Sequence, residues 1–137
     1  MKIISHSDKE TATAGERLAD RLKPGDVLAL YGPLGSGKTV FVQGLCRGLG
    51  CSINAHSPTF NIINIYPGAI EVAHIDLYRI EGGLAELDID TLQEAGRIIV
   101  VEWADKAKND LPKRRFDIFF TIIDSEVREL QINELQY

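Results

Sequence analysis

Asp26-Val27-Leu28-Ala29-Leu30-Tyr31 runs without a break into Gly32-Pro33-Leu34-Gly35-Ser36-Gly37-Lys38-Thr39, and the fold turns on this stretch. The first half is a continuous apolar run of strand length, the pattern of a strand covered on both faces in a parallel sheet. The second half satisfies G-x-x-x-x-G-K-[ST] at every fixed position. Glycines at 32, 35 and 37 let the backbone turn tightly and bring amide N–H groups close to phosphate oxygens. Lys38 carries a compact positive charge to the terminal phosphates, and the Thr39 hydroxyl is suited to magnesium. A helix opening here aims its amides and dipole at the anion. The expected nucleotide-binding segment is therefore Gly35, Ser36, Gly37, Lys38, Thr39 and Val40, on a phosphate loop between a strand and a helix.

Outward from that loop, Phe41, Leu45 and Leu49 mark one face of the following helix. Upstream, residues 2–6 read as a short strand. Ser7-Asp8-Lys9-Glu10 reads as a capping box opening a helix with Ala14, Leu18 and Leu22 on one face. Pro24-Gly25 stops that helix. Downstream, Thr59 to Tyr66 and Ile70 to Tyr78 read as a hairpin joined at Pro67-Gly68, and residues 81–96 as loop and short helix. Ile98-Ile99-Val100-Val101 is a second buried-type strand. Phe116 to Asp124 and Val127 to Ile132 form a closing hairpin turning near Asp124-Ser125. The expectation is one α/β domain over residues 1–137, a P-loop NTPase with a mixed β-sheet, a parallel centre and flanking helices.

The bulk composition narrows the function classes. Hydrophobic residues at 45% and charged residues at 26% of 137 describe an ordinary globular chain. A net charge of −5 argues against independent gripping of a nucleic-acid backbone, which draws its affinity from Lys and Arg. The tight cluster Lys113-Arg114-Arg115 reads as a solvated strand entrance. Cys46 and Cys51 match no zinc spacing and read as reduced thiols. No apolar run approaches the roughly 20 residues of a membrane span, so a cytoplasmic location is expected. His6 and His56 fall in no pattern.

A phosphate loop needs an acid at a neighbouring strand end to hold the magnesium shell. Glu102 ends an apolar run, and Asp76 ends Val72-Ala73-His74-Ile75-Asp76. Glu102 is the expected metal holder, directly or through water. Asp76 works beside it, orienting the attacking water or tying a loop to the γ-phosphate. His74, on the Asp76 face of its strand, reads as a hydrogen-bonded strand residue. The absence of Asn-Lys-x-Asp and Asp-x-x-Gly favours ATP over GTP. A small-molecule kinase would need lid arginines; Arg79 and Arg97 are available in number, but no lid insertion surrounds them.

The phosphate loop is followed, in order, by Ser57-Pro58-Thr59-Phe60, His74-Ile75-Asp76-Leu77-Tyr78-Arg79 and Val101-Glu102-Trp103. With that set, covering nearly the whole chain, the sequence closely resembles the bacterial TsaE (YjeE) family. The resemblance implies an ATPase, weak alone and stimulated by partners, required for threonylcarbamoyladenosine modification of tRNA. It would act with ATP and Mg2+ on a TsaD-TsaB type complex and meet tRNA only indirectly. Carried over by motif, Lys38 and Thr39 bind phosphate and magnesium, Glu102 completes the metal site and Asp76 serves turnover. Ser57-Pro58-Thr59 would sense the γ-phosphate, with Thr59 and Trp103 near the nucleotide. Thr11 and Arg128 align with positions near it. Pro33 and Ser36 depart from the family's usual residues, both at variable positions of the loop. A binding switch with incidental hydrolysis is the alternative in which ATP only fixes a conformation.

Overall fold

A computed structural model describes residues 1–51, 63–78 and 87–136. The described residues form one seven-stranded sheet. The strands are β1 (Lys2–Ser5), β2 (Val27–Tyr31), β3 (Ile63–Tyr66), β4 (Val72–Asp76), β5 (Ile98–Glu102), β6 (Arg115–Ile122) and β7 (Arg128–Leu135), in the order β1-β7-β6-β2-β5-β4-β3. The β2 strand pairs in parallel with both β5 and β6, and β4 in parallel with β5. Antiparallel pairs close both ends, β3 with β4 on one side, and β6 with β7 and β7 with β1 on the other. The parallel centre expected from the apolar runs is present, and the expected hairpins flank it.

Among the described residues three α-helices serve the sheet: α1 (Asp8–Ala19), α2 (Lys38–Gly48) and the short α3 (Ile89–Glu94). The Ser7 hydroxyl caps α1 by accepting from Glu10 N at 3.1 Å. The returning Glu10 carboxylate accepts from His6 N at 2.9 Å, one residue earlier than a standard capping box. Helix α1 ends at Ala19, short of Leu22. Its last turn tightens into i→i−3 bonds, with Arg21 N donating to Leu18 O and Leu22 N to Ala19 O. Leu22 still packs against the core from that turn.

Two apolar layers fix the sheet. Leu28, Leu30, Val100, Ile118 and Leu130 face α1 and α2, meeting Leu18, Phe41, Val42 and Leu45. Val27, Ala29, Ala73, Ile75, Ile99 and Val101 face the other way, under Leu77, Ile89, Ala104 and Leu111. The two long helices touch backbone to backbone. A Cβ added at Gly44 would lie 1.9 Å from Ala12 O, and one at Gly15 2.2 Å from Phe41 O. Only glycine permits that approach, and it brings the start of α1 against the phosphate loop.

Several boundaries move from the sequence reading. Asp26 stands before β2, its carboxylate accepting from Lys23 N at 2.7 Å. The last two strands differ from the expected limits by one to three residues; where they meet, Asp124 organises the turn, accepting from Glu126 N and Val127 N. Lys113 and Arg114 are exposed at the entrance to β6, as expected, and Arg115 pairs with Asp117 at 2.8 Å. Both cysteines are free thiols. Among the described residues no helix is long and apolar enough to cross a membrane. Ser57, Pro58, Thr59, Phe60 and Arg79 lie outside the described residues.

Candidate nucleotide site

The chain leaves β2 at Tyr31 and enters α2 at Lys38 through a loop held by left-handed glycines. Gly35 has φ 79° and Gly37, the residue before the helix, φ 102°. An added Cβ at Gly35 would meet nothing within 4 Å, so glycine serves the backbone angle there, not the space. Lys38 is the first helical residue and is buried. Its Nζ donates to Gly32 O at 2.7 Å and lies 4.5 Å from the centroid of the Trp103 ring. Burial pushes the Lys38 ammonium below its ordinary value, and the carboxylates of Glu102, Asp76 and Asp105, in that order, push it back up.

Those carboxylates arrive by sheet geometry. Asp76 and Glu102 end adjacent parallel strands and stand directly opposite each other in the register, with Leu30 beside Glu102 on β2. Alternation along β5 puts Glu102 on the same face as Val100 and Ile98, the face that packs on α2. Glu102 is buried, and its Oε2 accepts from His74 Nε2 at 2.5 Å. Asp76 is half-buried, with Oδ1 accepting from Tyr78 N at 2.9 Å. Immediately after Glu102 the backbone turns sharply. Trp103 has φ 56°, the one non-glycine residue with positive φ among the described residues, and this turn lays its ring beside Lys38 and against Tyr78. Holding a tryptophan there costs roughly 1–2 kcal/mol, a strain of the kind stored at functional sites.

On the other flank of the loop lies a cleft of about 410 Å³ lined by His6, Ser7, Asp8, Thr11, Gly35, Gly37, Ser125, Glu126 and Arg128. Arg128 Nη2 donates to Gly35 O at 3.3 Å and its Nη1 to Asp124 O at 2.7 Å, so the β6–β7 turn is tied to the loop. Thr11 is buried, shares a hydrogen bond with Ser5 Oγ at 2.7 Å, and turns its methyl group toward Gly37.

The structure thus gathers Gly35, Ser36, Gly37, Lys38, Thr39, Val40, Asp76, Glu102 and Trp103 at one sheet edge, with Thr11 and Arg128 on the outer flank. Three features escape the sequence reading. Asp105 lies two residues beyond a strand end in a 3₁₀ turn, and its influence on Lys38 follows only from that turn. His6 and Glu126 reach the cleft because distant segments meet there, a proximity without any local signal. Arg97, considered as a lid arginine, is instead engaged with Glu71 at 3.0 Å, one residue before β5 and so at the opposite end of that strand from Glu102.

The donor set suits a magnesium nucleotide. Magnesium keeps several waters and takes one or two carboxylates beside phosphate oxygens. Thr39, Glu102 and Asp76 supply hard oxygens of that kind. Among the described residues no group of three or more His, Cys, Asp or Glu forms a closed cage. Ser36 Oγ is the one buried side-chain polar atom without a partner among the described residues. It lies in the loop itself, a hydroxyl donor that an anion would satisfy.

Strand, glycine loop and helix, with acids ending the adjoining parallel strands, define an α/β protein of the P-loop NTPase class. Residues 5–130 match the family model described as threonylcarbamoyl adenosine biosynthesis protein TsaE. The tRNA threonylcarbamoyladenosine biosynthesis protein TsaE of Bacillus subtilis is 37% identical over 131 residues, covering 95% of this chain and 83% of that one. The protein of the same name from Treponema pallidum is 31% identical over 134 residues, covering 96% and 99%. A crystal structure of Bacillus subtilis YdiB matches with a TM-score of 0.86 at 31% identity, covering 99% of this chain and 86% of that one. The chain belongs to the TsaE family.

Proposed function

We propose that this chain is a magnesium-dependent ATPase that serves threonylcarbamoyladenosine modification of tRNA in the cytoplasm, acting on a TsaD-TsaB type complex. The observation that carries the ATPase reading is the convergence of Lys38, Glu102 and Asp76 around a phosphate loop, together with family membership. Amides from Gly35 through Val40 cradle the phosphates, and Lys38 exchanges its contact with Gly32 O for the terminal phosphate oxygens. Thr39 and Glu102 would hold magnesium, which would neutralise negative charge on the terminal phosphates. Asp76 orients the attacking water. The cleft beside Thr11 and Arg128 has the volume of a small-ligand pocket and takes the nucleoside. Trp103 covers Lys38 and excludes water from the phosphate end. Thr59 would complete the γ-phosphate side.

The net charge of −5 supports an indirect relation to tRNA, with the partner complex holding the nucleic acid. Phosphate release from ATP tests the reading. The chain alone should turn over slowly, and a TsaD-TsaB type complex should raise the rate at least tenfold. Glu102→Gln and Asp76→Asn should abolish the stimulated rate while ATP still binds. A full rate alone, indifferent to the complex, would contradict the proposal. Phosphate appearing on an acceptor instead of in solution would favour a kinase. Full modification of tRNA by a hydrolysis-dead variant would favour the binding switch.

A further inference from the structure

Glu102 does not stand alone in its pocket. His74, fully buried on β4, bridges it to Tyr66 at the end of β3: Tyr66 Oη lies 3.1 Å from His74 Nδ1, and His74 Nε2 lies 2.5 Å from Glu102 Oε2. All three side chains are buried, across three neighbouring strands. A carboxylate only accepts, so His74 Nε2 carries a hydrogen and donates it to Glu102, while Nδ1 pairs with the Tyr66 hydroxyl, which can donate or accept. One carboxylate oxygen is fixed by this chain, leaving Oε1 as the oxygen available to a ligand.

We propose that His74, set by Tyr66, is a positioning residue that holds the Glu102 carboxylate in the orientation needed to hold magnesium. The inference rests on the reading of Glu102 as a holder of the metal. A carboxylate at the end of a strand rotates freely about its last bond unless one oxygen is tethered. A buried carboxylate without a donor is also costly. The Nε2–H of His74 supplies that donor. Groups hydrogen-bonded to metal-ligating carboxylates act in this way, and their loss weakens metal affinity by about 10–100-fold.

Manganese serves as the probe. Its affinity is measured by electron paramagnetic resonance in the presence of ADP, and ADP affinity is measured separately in EDTA. His74→Leu should weaken manganese binding by about 10–100-fold, and Tyr66→Phe by a few-fold. ADP affinity in EDTA should stay within about twofold for both. His74→Gln, whose amide N–H stands close to the place of Nε2, should restore most of the manganese affinity that His74→Leu loses. Glu102→Gln separates the two levels. If it loses manganese while His74→Leu binds it as tightly as the wild type, the positioning role is overturned and the Glu102 assignment stands. If Glu102→Gln also binds manganese normally, both fall. Loss of ADP affinity in EDTA together with loss of manganese in His74→Gln and Tyr66→Phe would overturn the inference in favour of a purely structural chain.

Discussion

Arg128 reaches the phosphate loop across 93 residues of sequence to donate to Gly35 O. Its guanidinium stands where the loop meets the cleft, so Arg128→Ala should weaken ATP binding by about tenfold, the loss of one charge-assisted hydrogen bond. The side chain is half-buried and ties the turn to the loop, so the melting temperature should fall as well; an unaltered dissociation constant would remove Arg128 from the site. The turn that presents it depends on Asp124, whose carboxyl is held below the ordinary value of 3.8 mainly by the amides of Glu126 and Val127. A carboxyl depressed in the folded state stabilises above its unfolded value and loses that contribution as pH falls through the folded one. The Glu126 and Val127 amide resonances should therefore stay constant from neutral pH down to about 4 and move only below it. Movement between pH 5 and 7 would contradict the assignment. Trp103, the single tryptophan of the chain, lies 4.5 Å from Lys38 Nζ and should change its emission when ATP binds. An unchanged spectrum at saturating ATP would put the nucleotide elsewhere. At this scale the sequence was most informative where chemistry is consecutive. Gly32 to Thr39 carries its purpose in its own order, and Glu102 ends an unmistakable apolar run. Asp105 and His6 carry no such order, since their relevance depends on which turn and which hairpin come to lie beside them.

Helices α1 and α2 are joined more closely than any apolar periodicity announces. Their contact relies on Gly15 and Gly44, each against a carbonyl of the other helix. Gly44→Ala puts a methyl group where Ala12 O already lies, and neither backbone can give way cheaply. The helices must separate, at a cost of roughly 3 kcal/mol, read as a lower midpoint in urea unfolding. Thr11 would withdraw from Gly37 as they part, so ATP affinity should fall with stability. Unchanged stability would show that the helices are not pressed together as described. At the other end of the same scale, Ser7→Ala removes a cap and should cost about 1 kcal/mol, read as a lower midpoint in urea unfolding. Ser7 and Glu10 are legible as a cap because that pairing is local. The close approach at Gly15 and Gly44 is not, because a glycine within a helix gives no indication of which partner it faces. The short end of α1 has a similar cause: Leu22 keeps the helical spacing, yet the turn before Pro24 can tighten and still bury it.

Across the whole molecule, two runs of aliphatic residues ending in Tyr31 and Glu102 foretell strands covered on both faces, and hence the parallel centre. The order in which the strands of the described residues assemble follows from connections and packing that no single segment encodes. That order decides the site. Placing β5 between β2 and β4 sets Glu102 beside both the phosphate loop and Asp76, and lets His74 reach across from the neighbouring strand. The central claim is that this sheet edge holds a magnesium triphosphate by Lys38 and the loop amides. Calorimetric titration of ATP with Mg2+ into the full chain tests it most directly. One saturable site per chain, weakened at least a hundredfold by Lys38→Ala in a variant that remains folded, is the result predicted. No heat of association with the folded wild-type chain, or equal affinity in Lys38→Ala, would contradict it.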